Sequence, residues 1–381
     1  MIIRNALVYT EDHVFQKRDI LIKGANFAEI CPAGTTPCCD EKIVDASGCF
    51  AIPGLVDLHF HGCAGFDFSD GTEEAMHAIA AYEASVGVTS IIPATMTLGE
   101  SQLQTICGTA AQYVKVQRQG EATLRGIHME GPFFSIKKKG AQNPEHLRNP
   151  DIEMFRRLNQ TSDGQIRIVS IAPELDGAME FIEALRDETV ISIAHTDADY
   201  ETARLAIEHG VQHITHLYNA MPPFLHRAPG PIGAAADCKS CMVELICDGI
   251  HVHPAVVRST FRMFGDDRII LISDSMRATG LQDGTYDLGG LSVTVCGQNA
   301  TLADGTIAGS VTNLIDCVRI AVQQMGIPLE AAVRCATENP AKSVGIYQWC
   351  GSISPGKRAD VVLLSQDDLR LHQVILGGQQ F

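Results

Sequence analysis

The sequence predicts an α/β chain: a (β/α)8 TIM barrel carrying a small β-sandwich domain formed by both chain termini. Three observations predict it. Eight short apolar runs recur through the middle of the 381-residue chain, separated by amphipathic helical stretches. Near-continuous apolar strands alternating with helices require a parallel sheet covered on both faces. The two chain ends, by contrast, read as strands and turns without helices. Finally, polar residues of one chemical kind follow most of the apolar runs, as they do at the mouth of a barrel. A doubly wound sheet is the competing architecture, but no Gly-x-Gly-x-x-Gly turn opens the first unit.

Residues 1–52 form the N-terminal part of the small β domain. Runs 2–9, 19–23 and 42–45 are rich in strand formers, and Gly24-Ala25-Asn26, segment 32–37 and Ser47-Gly48 break them. Residues 53–349 are assigned to the barrel. Its strands are Leu55-Val56-Asp57-Leu58 and segments 88–93, 124–129, 166–172, 190–194, 211–215, 242–247 and 269–273. Segment 283–309, rich in Gly, Thr and Asp, reads as a hairpin-like insertion after the eighth strand. Residues 350–381 return to the small domain through Gly351-Ser352-Ile353, the turn Ser354-Pro355-Gly356-Lys357, the apolar run 360–364 and Val374-Ile375-Leu376.

Composition narrows the function classes. With 45% hydrophobic and 19% charged residues the chain has enough apolar surface for a large core. Lys+Arg 29 against Asp+Glu 45 gives a formal charge of −16, which repels nucleic-acid backbones and anionic lipid. An anionic substrate would need a locally basic pocket. No apolar run reaches the ~18–20 residues of a membrane span, and the start Met1-Ile2-Ile3-Arg4-Asn5 lacks the apolar core of a signal peptide. The thirteen cysteines, an odd number and including the adjacent Cys38-Cys39, are read as holding no pair at the Cys-x-x-Cys spacing of a zinc ribbon or redox motif, and so as reduced structural thiols. That reading places the chain in the cytoplasm.

The ends of the apolar runs carry the chemistry. The first leads into His59-Phe60-His61, the third into His128-Met129-Glu130, the fifth into His195-Thr196-Asp197 and the sixth into His216-Leu217-Tyr218-Asn219. The seventh leads into Asp248-Gly249-Ile250-His251 and the eighth into Ser273-Asp274-Ser275. In a barrel these ends converge on one mouth. A lone histidine after a strand is an ordinary turn residue, but five or six at equivalent positions predict a site for a divalent metal. His59 and His61, two apart on a strand, can share one ion. Asp274 can take a proton from an attacking water and return it to a leaving amine; its competing reading is an N-cap for a following helix.

These residues resemble a known family. Segment 53–62, ending in His59-Phe60-His61-Gly62, resembles the metal motif of the amidohydrolase superfamily. The order of His128-Met129-Glu130-Gly131-Pro132-Phe133, Lys139-Gly140-Ala141-Gln142-Asn143-Pro144, Thr215-His216-Leu217-Tyr218-Asn219-Ala220-Met221, Asp248-Gly249-Ile250-His251, Ser273-Asp274-Ser275-Met276 and Ala308-Gly309-Ser310 is similar to that of the N-acetylglucosamine-6-phosphate deacetylase family.

The resemblance implies hydrolysis of the acetamido group of N-acetylglucosamine 6-phosphate. It implies that Glu130, His195 and His216 hold the principal metal and that Asp274 is general base, then acid. Asn219, Ala220, Arg227 and the stretch Asp248, Gly249, Ile250 and His251 would serve the sugar phosphate. Ala141 and Ile307, Ala308 and Gly309 would shape the sugar and acetyl pocket. The cofactor would be one or two divalent metals, zinc first, with iron, manganese or cobalt compatible. Because the family can borrow phosphate-binding groups from a neighbouring subunit, a homodimer is implied, and a tetramer is compatible.

Three departures bear on the chemistry. Some family members lack the first His-x-His pair; here His59 and His61 are both present, which leaves room for a second ion bridged by Glu130. Many members carry a carbonyl-polarising His where this chain has Gln142, which can donate a hydrogen bond but carries no charge. The fourth strand ends in Ala172-Pro173-Glu174, without the metal-bridging lysine of the dihydroorotase, hydantoinase and urease-like branches. Related amidohydrolases acting on N-acetylgalactosamine 6-phosphate or an N-acyl amino acid, and a non-catalytic scaffold, are the alternatives. The intact set Glu130, His195, His216 and Asp274 argues against the scaffold.

Overall fold

Each apolar run of the middle region becomes a strand of one curled parallel sheet. In this computed structural model, which describes residues 1–35 and 41–381, the eight strands are Leu55–Asp57, Val88–Ile91, Ile127–Glu130, Ile166–Ile171, Val190–Ile193, His213–Ile214, Met242–Ile246 and Ile269–Ile272. The third to eighth pair in sequence order, all parallel. The first pairs parallel with the second, and a parallel bridge between Ala94 and His128 joins the second to the third. The ring closes where the Asp274 N–H donates to the His59 carbonyl at 2.9 Å and the His61 N–H to the Ser275 carbonyl at 2.7 Å. The result is TIM-barrel-like.

The strand period of two divides the side chains. Ile191, Ile193, Val243, Leu245 and Leu271 face outward into the large core shared with the helices. Val56, Ile168, Ile246, Ile270 and Ile272 pack in a second cluster inside the ring. Side-chain caps start several of the covering helices: Asp151 accepts from the Met154 N–H, Asp199 from the Thr202 N–H and Asn313 from the Asp316 N–H.

Both chain ends enter one eight-stranded sheet. Strand Cys49–Pro53 pairs antiparallel with Val361–Ser365, which stitches the N-terminal strands to the C-terminal ones. Ile3, Val8, Ile20, Phe27, Val361 and Ile375 form a separate apolar cluster beneath this sheet. One strand, Asn26–Pro32, begins inside a segment read from sequence as a breaker; the turn is confined to Gly24 and Ala25, with Gly24 at φ +59°. The rest of the 32–37 breaker and Cys38-Cys39 lie partly or wholly outside the described residues.

Segment 283–309 forms a three-stranded antiparallel meander, Gly284–Leu288, Leu291–Cys296 and Asn299–Thr301. It carries Leu288, Thr306 and Ile307 to the barrel mouth. Every described cysteine is a free thiol. Cys238 and Cys241 do stand at Cys-x-x-Cys spacing, on a turn at the end of helix Gly230–Asp237, contrary to the reading that no such pair exists. Among the described residues no helix is long and apolar enough to cross a membrane.

Candidate metal centre and active site

The barrel delivers its polar residues to one place. Glu130 ends the third strand, while His195, His216 and Asp274 each lie two residues beyond the fifth, sixth and eighth. Their backbone is bent sharply inward: His195, His216 and Asp274 adopt φ of 44°, 28° and 48°. Left-handed backbone is unfavourable for side chains other than glycine and gathers at functional sites, costing on the order of 1–3 kcal/mol each. Hydrogen bonds hold the bends. The His195 ring meets the Lys138 carbonyl through Nδ1 at 3.0 Å, and the Asp274 carbonyl accepts from the Ser310 N–H at 2.7 Å. The left-handed φ of Asp274, and the absence of a helix directly after it, dispose of the N-cap reading.

One carboxylate sits at the centre. Glu130 Oε1 is 3.2 Å from His195 Nε2, 3.2 Å from His216 Nε2 and 3.4 Å from His59 Nε2. Its other oxygen, Oε2, is 3.4 Å from His61 Nε2. Asp274 Oδ1 faces the group from the far side, 3.6 Å from His59 Nε2 and 3.4 Å from His61 Nε2. All six residues are buried. His195 Nε2 and His216 Nε2 stand only 3.2 Å apart, an arrangement suited to two ring nitrogens sharing one electrophile.

The donor set fits a divalent metal. Glu130, His195 and His216 bring one ligand atom each within 4.8 Å of one another, and His59, His61 and Asp274 do the same. His59 Nε2 is buried with no hydrogen-bond partner, an orphan that a bound cation would satisfy. Imidazole nitrogens with carboxylate oxygens suit zinc and its first-row neighbours.

The cluster's charges lock one another. Burial alone would raise the Glu130 pKa, but the imidazoles of His59, His195 and His216 gathered around it hold it well below the usual carboxylate range. Burial likewise opposes ionisation of Asp274, and His61, His59 and His216 reverse the effect and hold its pKa below the ordinary value. Asp274 is therefore an anion near neutral pH, ready to accept a proton.

Above the cluster opens a cavity of about 340 Å³. Of the residues expected to serve it, His61, Glu130, Ala141, Gln142, His195, His216, Asn219, Ala220, His251, Asp274, Ile307 and Gly309 line it. His59 lies wholly beneath the surface, with no exposed area. Asp248 sits behind His251: its Oδ2 is 2.7 Å from His251 Nδ1, and its Oδ1 accepts from the Ile250 and His251 N–H groups at 2.9 Å each. Burial favours the neutral imidazole, but the Asp248 hydrogen bond and charge, with Asp274 further off, raise the His251 pKa. Gly249 and Ile250 thus shape the turn rather than the cavity wall, and Ala308 is buried behind it, donating to the Ala300 carbonyl.

Arg227 stands apart from these residues. It is exposed, outside the cavity of its own chain, and its Nη1 donates to His226 Nε2 at 2.8 Å. Its loop leads into helix Gly230–Asp237. Sequence reasoning did not single out Lys137, Lys138, Gly140, Met96, Leu288 and Thr306, which also line the cavity. The run Lys137-Lys138-Lys139, a local excess of cations in an acidic chain, was the available signal. At Gly140, with φ +55°, a Cβ would meet His195 Cε1 at 3.2 Å, so the absence of a side chain lets the loop close on that ring.

Known proteins share this plan. The model of the Amidohydrolase family matches residues 50–381. The N-acetylglucosamine-6-phosphate deacetylase of Bacillus subtilis (strain 168) is 36% identical over 370 residues, 96% of this chain and 93% of that protein. The N-acetylgalactosamine-6-phosphate deacetylase of Escherichia coli O157:H7 is 36% identical over 329 residues, 86% of each. Among solved structures, a mutant N-acetyl-D-glucosamine-6-phosphate deacetylase from Mycobacterium smegmatis, in complex with N-acetyl-D-glucosamine-6-phosphate, is similar with a TM-score of 0.93 at 33% identity, covering 100% of this chain and 98% of that one. On the extent of these matches the chain belongs to the amidohydrolase family, in its N-acetylglucosamine-6-phosphate deacetylase branch.

Proposed function

We propose that this chain hydrolyses the acetamido group of N-acetylglucosamine 6-phosphate, giving glucosamine 6-phosphate and acetate in amino-sugar catabolism. The observation that carries the reading is Glu130 Oε1 within 3.4 Å of three imidazole Nε2 atoms, with Asp274 facing the same spot.

Glu130, His195 and His216 would hold the principal divalent ion, and His59 and His61 a second one beside Asp274. Zinc is the proposed metal, and iron, manganese and cobalt suit the same ligands. Such an ion supplies Lewis acidity, polarising the amide carbonyl and lowering the pKa of water from ~15.7 towards ~7. Asp274 takes the proton of the attacking water and delivers it to the amide nitrogen as the carbon–nitrogen bond breaks, so the sugar leaves as an amine. Asn219, Ala220 and His251 face the sugar phosphate. Ala141, Ile307 and Gly309 wall the sugar and acetyl pocket.

The phosphate dianion enters a chain of formal charge −16, so it needs placed cations. His251 supplies one, and Lys137 and Lys138 stand at the cavity. Arg227, exposed on its own chain, would serve the site of a second copy, which makes the working form a homodimer or a tetramer. Residues 1–52 and 350–381 would then form a small β-sandwich domain beside the barrel of residues 53–349; their shared sheet and separate core support the division. The free thiols are in keeping with a cytoplasmic enzyme.

A second reading, N-acetylgalactosamine 6-phosphate as substrate, draws on the Escherichia coli relative. The test is acetate release from N-acetylglucosamine 6-phosphate, N-acetylgalactosamine 6-phosphate and unphosphorylated N-acetylglucosamine, with metal content measured on the same preparation. The first substrate should give the highest kcat/KM. A preference for the galacto epimer would install the second reading, and equal rates without the phosphate would sink both.

A further inference from the structure

Strand Met242–Ile246 is apolar except for Glu244, which is fully buried. A carboxylate inside a barrel is strongly unfavourable unless partners compensate it. Glu244 has two. Its Oε2 is 3.1 Å from His59 Nδ1, and its Oε1 is 3.5 Å from His213 Nδ1. An ionised carboxylate only accepts hydrogen bonds, so the His59 hydrogen sits on Nδ1 and the lone pair on Nε2. That Nε2 has no hydrogen-bond partner and points between Glu130 and Asp274. Without Glu244 the ring could take the other tautomer, place its hydrogen on Nε2 and donate it to either carboxylate.

We propose that Glu244 is a positioning residue, the outer carboxylate of a Glu244–His59–metal relay that gives the His59, His61 and Asp274 position its affinity for a divalent cation. The inference rests on the metal-dependent reading above. A neighbouring set, His59, His128 and Glu244, also brings its ligand atoms within 4.8 Å, but it is scaffold and not a third ion site. Both His128 nitrogens are engaged, Nδ1 with the Leu58 carbonyl at 3.1 Å and Nε2 with Ser170 Oγ at 2.7 Å. His59 Nδ1 already faces Glu244. The group thus fixes the floor on which His59 stands, and outer-shell carboxylates of this kind orient metal-binding imidazoles and raise their basicity.

The experiment is metal titration of the full chain, stripped with chelator and reloaded with Co²⁺ or Zn²⁺, following bound equivalents and the cobalt absorption bands. Wild type should bind two equivalents. Glu244→Gln should bind the first as wild type does and the second about ten- to hundredfold more weakly, with the cobalt bands of the second equivalent displaced. Glu244→Asp, which keeps the charge but not the reach to His59, should show the same loss if Glu244→Gln does not fold. Two equivalents with unchanged affinities in both variants would overturn the role of Glu244 while leaving the metal reading intact. Loss of both equivalents would overturn it as well, by making Glu244 a general structural residue. A wild type that binds fewer than two would overturn it together with the second-ion reading.

Discussion

Gln142 donates from Nε2 to Glu130 Oε2 at 2.8 Å, while its own amide oxygen accepts the Thr97 N–H at 2.8 Å. Both ends of the buried amide are committed, so its orientation is fixed and it cannot swing freely towards a substrate carbonyl. Its work is to hold the central carboxylate with one oxygen towards His61 and the other towards the three remaining imidazoles. Gln142→Ala should therefore weaken principal-metal affinity by about ten- to hundredfold and lower kcat at limiting metal, with kcat largely recovered when metal is saturating. If kcat stayed low at saturating metal while affinity was normal, Gln142 would act on the substrate instead.

Asp274 is buried yet held as an anion by the imidazoles around it. Asp274→Asn keeps the shape and removes the proton acceptor, so kcat should fall by about 10²–10⁴. KM and the first metal equivalent should change little, because Glu130, His195 and His216 are untouched. His195→Ala is the contrast: it should lose metal and activity together. Equal metal loss in both variants would place Asp274 among the ligands of the principal ion and not in proton transfer.

Much of this site is legible in the sequence because barrel geometry converts position along the chain into position in space. His59, His61, Glu130, His195, His216 and Asp274 each end or follow an apolar strand run, and such ends meet at one mouth. Glu244 was not legible. One acid inside a strand of apolar neighbours gives no hint of facing inward, and its partner His59 lies 185 residues away. Met96, Leu288 and Thr306 reach the cavity from loops and the meander, whose placement depends on tertiary packing. Arg227 was legible as a charge but not as a location, since a loop arginine can serve its own chain or another. The terminal sheet was readable as strands, while its order, with Cys49–Pro53 against Val361–Ser365, is set by long-range pairing that local patterns do not encode.

Because Arg227 is exposed and outside its own cavity, its contribution should depend on assembly. Arg227→Ala should raise KM for the phosphorylated substrate by about ten- to hundredfold, the loss of a charge-assisted hydrogen bond of about 1.5–3 kcal/mol. Activity on unphosphorylated N-acetylglucosamine should not change. Mixing Arg227→Ala with Asp274→Asn subunits separates the two placements. If the arginine acts across an interface, mixed dimers contain one site with an intact Asp274 and an intact neighbouring Arg227, and low-KM activity returns. No recovery on mixing, with KM raised in the single variant, would put Arg227 in its own chain's site.

Glu83 gives a test of stability that is independent of catalysis. It lies on helix Glu73–Ser85 at 1% exposure, and neither carboxylate oxygen finds a hydrogen-bond partner among the described residues. Burial, then the nearby Asp57 carboxyl, push its pKa up to about 8 from 4.5, with the Cys63 thiol acting in the opposite direction. The folded state therefore holds a proton that the unfolded chain releases at a lower pH. A raised folded pKa means the contribution to stability is full below about 4.5 and is lost as pH rises to about 8. Glu83→Gln is neutral throughout and close in size. Its Tm minus that of wild type should climb by a few degrees between pH 5 and pH 8, whatever constant cost the amide adds at every pH. Asp57, pushed up to about 7 chiefly by burial against the opposing hydrogen bond of Ser273, leaves some slope in the variant as well, so the quantity to read is the difference between the two melting curves. A difference that stays level across that range would mean Glu83 is ionised in the folded chain, with a cation or water beside it.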